Sequence, residues 1–187
     1  MAHNKEGLML MPYLENFKLR EWIENNKTNW GSRPIRVIWE SDDYITMVGR
    51  GPTRGKDFHV GPGDEIFYQL EGELNFNYIT PEGERKLMVV GPGEIFLLPA
   101  KVPHAPRRPD ENSLTLVVER KRKPTDLDYW VWFCERCNNK LYETPPRTGA
   151  GPSNGPNRVI QEANELLRND AKLRTCTKCG EVLPAPA

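Results

Sequence analysis

The sequence predicts a mainly β protein: an antiparallel sandwich or barrel, preceded by a short helix and followed by a small metal-held tail. Three observations predict it. Short runs of β-branched and aromatic residues recur from about 35 to 120, separated by Gly- and Pro-containing turns at roughly 8- to 12-residue spacing. Four cysteines fall as two Cys-x-x-Cys pairs, Cys134–Cys137 and Cys176–Cys179. The two histidines beyond His3, His59 and His104, both stand near Gly-Pro turn strands. At 187 residues the chain is one ordinary domain with some length to spare.

Composition narrows the function classes. Lys+Arg and Asp+Glu both number 26, so there is no basic field for nucleic acid or an anionic membrane. No apolar run approaches the roughly 20 residues of a bilayer span. The first residues carry acidic groups and no long apolar segment, so no signal peptide is expected and the cytoplasm is the expected location.

The elements follow in order. Over 13–25, Leu19, Trp22 and Ile23 stand at i, i+3, i+4, the spacing of a short amphipathic helix. Strands are expected over 35–39, 44–48, 65–70, 74–79, 86–90, 94–98 and 114–119. The stretch from Val60 to Phe67 echoes that from Val90 to Phe96, each a tight turn feeding an acidic and then an aromatic strand; two similar β-turns would read the same way. Residues 121–128, Pro-containing and charged, mark a boundary, giving a barrel with its helix over 1–123 and a tail over 124–187. In the tail, 129–133 reads as a strand, 144–157 as a flexible stretch and 158–169 as a helix. That helix carries Val159, Ala163, Leu166 and Leu167 as its apolar stripe. So small a segment does not fold on hydrophobic burial alone.

The cysteines supply what burial does not. A Cys-x-x-Cys turn brings two thiolates to one ion, and two turns complete a tetrahedral S₄ shell suited to zinc or to a single iron. Asn138 and Gly180, which follow the second cysteine of each pair, tolerate the left-handed conformation such knuckles adopt. The competing readings are weaker. Disulfides need an oxidising compartment and a redox dithiol would occur once on a thioredoxin-like frame; unrelated free thiols are the third reading.

A second site has open positions. His59 and Glu65 flank Gly61-Pro62-Gly63, so they are expected on two adjacent antiparallel strands pointing to one place, with His104 as the third donor. Two imidazoles and a carboxylate on one face make the facial triad of non-haem Fe(II) oxygenases. His59, Glu65 and Gly72 resemble the first cupin motif, and Gly93, Pro99 and His104 the second, with Lys101 in place of a usual glycine. The resemblance implies a cupin barrel, a double-stranded β-helix or jelly roll. The motif's other histidine falls at Gly61, which reduces a three-His-one-Glu set to two His and one Glu.

More narrowly, the chain resembles the 3-hydroxyanthranilate 3,4-dioxygenase family. The resemblance rests on Asp57-Phe58-His59, the run from Glu65 to Gly72, the run from Gly93 to Pro106, Arg108, and Leu116 to Arg120. It extends through the four tail cysteines, which bind a rubredoxin-like iron in bacterial-type members, and covers nearly all of 12–182. It implies catalytic Fe(II) on His59, Glu65 and His104. It also implies that Arg108 pairs with the substrate carboxylate, that Glu119 meets the substrate amino group, and that a homodimer forms. Without the resemblance, Arg108 and Glu119 read as a solvated ion pair at strand ends. Two positions depart from the family pattern. Gly55 stands where members carry an arginine, with Arg54 beside it, and Ile35 stands where members carry an asparagine. In extended chain a one-residue shift turns a side chain to the other face, so Arg54 reaches the site only through a bulge or a local realignment.

The activity implied is ring opening of 3-hydroxyanthranilate by O₂ to 2-amino-3-carboxymuconate semialdehyde, which closes to quinolinate in the kynurenine route to NAD. The alternatives are a related ortho-aminophenol or catechol carboxylate as substrate, a cupin enzyme such as an isomerase using zinc or manganese, and a small-molecule-binding cupin without turnover.

Overall fold

The computed structural model describes residues 16–30, 34–148 and 156–186. Side-chain alternation along each strand decides which face goes inward. In β4 (Glu65–Glu71), Glu65, Phe67 and Gln69 are buried while Ile66 is exposed. β4 belongs to a five-stranded antiparallel sheet with β1 (Ile35–Glu40), β2 (Tyr44–Arg50), β9 (Leu114–Arg120) and β7 (Ile95–Leu98), in the order β1-β2-β9-β4-β7. The opposing sheet runs β11 (Lys140–Glu143), β10 (Leu127–Phe133), β3 (Asp57–Val60), β8 (His104–Arg107), β5 (Leu74–Ile79), β6 (Arg85–Val90), with β12 (Arg147–Thr148) beside β10. The result is the two-sheet jelly-roll barrel expected of a cupin.

The sheets meet over Ile45, Met47, Phe67, Leu74, Phe76, Val90, Leu98 and Val117. The two strands fed by Gly-Pro-Gly turns, β4 and β7, are neighbours, and Phe67 stacks on Phe96 with centroids 5.1 Å apart. Helix α1 (Leu19–Asn26) starts later than the spacing predicts, and residues 13–15 lie outside the described part. Its Ile23 packs with Trp30 and with Ile38, Val48 and Leu114 of the first sheet.

Past the expected boundary at 123, β10 does not leave the barrel. It pairs with β3, Trp130 opposite His59. Helix α2 (Pro156–Asn169) lays Val159, Ala163 and Leu167 against Trp130, Trp132 and Leu183. Leu166, expected on that stripe, is 52% exposed. At 100° per residue the buried arc centres between Ala163 and Leu167, which leaves Leu166 on its margin and turns Ile160 inward instead. Among the described residues no helix is long and apolar enough to cross a membrane.

Candidate metal centre and its cavity

Two cross-strand pairs build the centre. In one sheet Glu65 of β4 lies directly opposite Glu119 of β9. In the other His59 of β3 lies directly opposite His104 of β8. His59 and Glu65 therefore do not stand on adjacent strands, as their turn spacing suggests; they face each other from opposed sheets. The Gly-Pro-Gly turn crosses from one sheet to the other.

His59, Glu65 and His104 place one ligand atom each within 4.8 Å of the others. Glu65 Oε2 lies 3.7 Å from His104 Nε2, and Glu65 Oε1 lies 3.9 Å from His59 Nδ1. Those separations are too long for hydrogen bonds, and the three side chains are close enough together to hold one ion between them. Each imidazole is held by its outer nitrogen: His104 Nδ1 donates to the Val102 carbonyl at 2.9 Å, and His59 Nε2 lies 2.8 Å from Asp128 Oδ1. A Cβ on Gly61 would sit 3.0 Å from Glu65 Oε1 and 3.1 Å from His59 Cε1, so position 61 faces the donors and glycine keeps that side open. Two nitrogens, one carboxylate and an open side fit a catalytic divalent metal.

Burial drives His104 down to about 3, reinforced by the neighbouring His59 charge. Burial raises Glu65, opposed by the His59 charge. At His59 burial works downward, but the Asp128 hydrogen bond and the Glu65 charge leave it above its ordinary value. Burial and the Glu65 charge raise Glu119 to about 7.

The sequence reading missed Asp128 and Arg122. Asp128 is fully buried, and Arg122 donates to it from Nη2 at 2.9 Å and from Nε to both oxygens at 3.3 and 3.2 Å. Arg122 Nη1 also lies 2.7 Å from Glu119 Oε1, an ion pair without hydrogen-bond alignment. Burial pushes the Asp128 carboxyl up, but the bonds from His59 and Arg122 outweigh it and hold the group down at about 2. The signal was present in 121–128, where two acidic and three basic residues sit beside an aromatic strand, but a boundary reading hid it.

The donors open into a cavity of about 640 Å³, the size of a small-molecule site. Arg108 and Glu119 both line it and are buried, so they are not a solvated strand-end pair. Arg108 Nε donates to Thr115 Oγ1 at 3.0 Å, and Thr115 Oγ1 donates to Gln69 Oε1 at 2.7 Å. Its guanidinium lies over Gly49, where a Cβ would come within 2.4 Å of Nη2. Among the described residues no carboxylate pairs with Arg108, and burial, with Arg107 nearby, lowers it to about 10. Ile35 and Arg54 also line the cavity, as does Ile160 from α2. Residues 51–56 form no strand, which releases Arg54 from strict alternation. A Cβ at Gly55 would meet Asp57 Oδ1, so a side chain there would require the Asp57 carboxylate to move aside.

The four cysteines meet at the far end of β10. Cys134 and Cys179 sulfurs lie 3.6 Å apart and Cys137 and Cys176 sulfurs 3.4 Å apart, close to the roughly 3.8 Å edge of a tetrahedron with 2.3 Å metal–sulfur bonds. The two knuckles match: Asn138 N–H donates to the Cys134 carbonyl and Gly180 N–H to the Cys176 carbonyl, at 3.0 and 2.9 Å. Asn138 and Gly180 both take positive φ, 58° and 77°. At Cys176 burial is outweighed by the backbone N–H groups of Cys179 and Lys178, which draw the thiol down to about 6. Four free thiols so arranged can hold a tetrahedral ion.

The sequence model of the family described as 3-hydroxyanthranilic acid dioxygenase matches residues 11–147. The chain is 38% identical over 173 residues to a 3-hydroxyanthranilate 3,4-dioxygenase of Bacillus thuringiensis (strain Al Hakam), covering 91% of this chain and 93% of that protein. It is 36% identical over 178 residues to the protein of the same description from Xanthomonas campestris pv. campestris (strain 8004), covering 95% and 96%. Among solved structures, a cupin-2 domain containing protein from Shewanella frigidimarina is 22% identical with TM-score 0.42, covering 52% of this chain and 92% of that one.

Proposed function

The chain belongs to the 3-hydroxyanthranilic acid dioxygenase family, and on that premise we propose that it opens the ring of 3-hydroxyanthranilate with Fe(II) held by His59, Glu65 and His104, giving 2-amino-3-carboxymuconate semialdehyde. The chain is an oxidoreductase of the 3-hydroxyanthranilate 3,4-dioxygenase type. The observation that carries the substrate reading is Arg108: a buried guanidinium with no carboxylate partner among the described residues, on the wall of the cavity that holds the triad. A buried unpaired cation is costly, and an incoming carboxylate relieves it through charge-assisted bonds.

When bound, Fe(II) supplies open coordination positions and the electron chemistry that lets O₂ react with an aromatic ring. The protein's residues do the rest. Arg108, fixed by Thr115 and Gln69, takes the substrate carboxylate in its fork and sets the ring's orientation. Glu119, opposite Glu65 and partly neutralised by Arg122, accepts from the substrate amino group. Ile160 and Trp130 wall the cavity and keep bulk water from the ring. Both oxygen atoms enter the product.

A related ortho-aminophenol or catechol carboxylate is the second reading, and Ile35 favours it by making one cavity wall apolar. The test is to add anaerobically purified, Fe(II)-loaded protein to 3-hydroxyanthranilate, or to analogues lacking the carboxylate or the amino group, and follow O₂ uptake and the yellow semialdehyde. Highest kcat/KM for 3-hydroxyanthranilate supports the assignment; preference for an analogue contradicts it.

Four thiolates suit a structural iron or zinc, and we assign the Cys₄ site that role. A homodimer is supported by exposed Ile66, Leu87, Val89, Ile95 and Leu97, which lie on or beside the edge strands β6 and β7.

A further inference from the structure

We propose that Asp128 is a positioning residue for the metal centre, holding the His59 ring by Nε2 so that Nδ1 faces Glu65, while Arg122 ties Asp128 to Glu119. The inference rests on reading His59, Glu65 and His104 as metal ligands. It goes beyond that reading by assigning a function to two residues outside the ligand set and outside the substrate contacts.

The strand register creates the contact. Trp130 stands opposite His59, so Asp128, two residues earlier on β10, projects from the same face along the diagonal. An ionised carboxylate only accepts hydrogen bonds. Asp128 Oδ1, 2.8 Å from Nε2, therefore selects the tautomer with its proton on Nε2 and its lone pair on Nδ1. That lone pair is on the side of Glu65. Trp130 stacks on the same imidazole with centroids 5.1 Å apart and planes 27° from parallel. A half-turn of the ring would break the Asp128 bond and carry Nδ1 away from Glu65.

His104 is held on the same plan by a weaker partner, the Val102 carbonyl. The anionic partner at His59 makes that imidazole the more basic ligand. A lone carboxylate at zero exposure would be costly, and Arg122 neutralises it. The same guanidinium reaches Glu119, so one side chain links the group that orients a ligand to the group that faces the substrate amino position. Asp128, Arg122 and Trp130 all follow β9, in the segment that leads to the cysteine knuckles.

The test measures metal affinity as well as activity. Fe(II) binding to the full chain is followed by chelator competition for the site that His104→Ala abolishes. Asp128→Ala is expected to weaken that site by about 10- to 100-fold, and Asp128→Asn, which keeps an acceptor oxygen, by clearly less. A folded Asp128→Ala protein with wild-type affinity overturns the proposal. In metal-free wild type at pH 8, imidazole ¹⁵N shifts are expected to show His59 protonated at Nε2, and the opposite tautomer overturns the proposal even if the alanine variant does not fold. If His104→Ala leaves Fe(II) affinity unchanged, the ligand reading itself fails. If His104→Ala abolishes binding and Asp128→Ala does not weaken it, only the positioning role fails.

Discussion

Arg108 is the residue on which substrate recognition turns. Replacing it with glutamine removes a charge-assisted bond worth about 1.5–3 kcal/mol, so kcat/KM for 3-hydroxyanthranilate is expected to fall about 10- to 150-fold. Steady-state kinetics check this, and the loss should be far smaller for an analogue without the carboxylate. Asp128 makes a pH prediction. Its carboxyl is held below the ordinary value of 3.8, at about 2. The stability it contributes is therefore present above pH 4 and lost as pH falls from about 4 towards 2. Over that window the urea midpoint of wild type should fall more steeply than that of Asp128→Asn. At this scale the sequence was informative wherever a residue type is rare: two histidines and four cysteines pointed to the two clusters that could hold a metal. Asp128 and Arg122 were hidden because acids and bases are common, and only the pairing of β10 with β3 brings them to His59.

Among elements, the eight strand runs read from the sequence all formed, while β3, β8, β11 and β12 were not among them. β3 and β8 are four residues each, and the ligand histidines sit in them. Pro106 argues against a strand at β8, but β3 pairs with β8 only through His59 and His104, so the ladder beside Pro106 on that side is already open. Sequence spacing also placed His59 and Glu65 on neighbouring strands, because a tight turn usually makes a hairpin; here the turn crosses between sheets. Helix α2 carries an element-scale prediction. Leu167 is fully buried against the Trp130–Trp132 face, so Leu167→Ala should cost about 2–5 kcal/mol in urea unfolding. Because Ile160 of that helix walls the cavity, KM should rise more than kcat falls.

The whole molecule joins two candidate metal sites through one strand: β10 begins at Asp128's end beside the triad and finishes next to Cys134. The tail is thus stitched into the barrel sheet through β10, and its four cysteines are placed to hold an ion of their own. Elemental analysis should find two metal ions per chain in the wild type and one in Cys176→Ser, with Trp130 and Trp132 fluorescence reporting a loosened tail. Leu97→Lys on β7 should shift the chain from dimer to monomer in light scattering while activity per chain persists. Ring opening by this protein is tested most directly by ¹⁸O₂ consumption of the Fe(II)-loaded chain with 3-hydroxyanthranilate. One O₂ consumed per substrate, both atoms in the ring-opened product and no turnover by His104→Ala is the predicted result. No uptake by the loaded protein, or uptake that survives in His104→Ala, would contradict it.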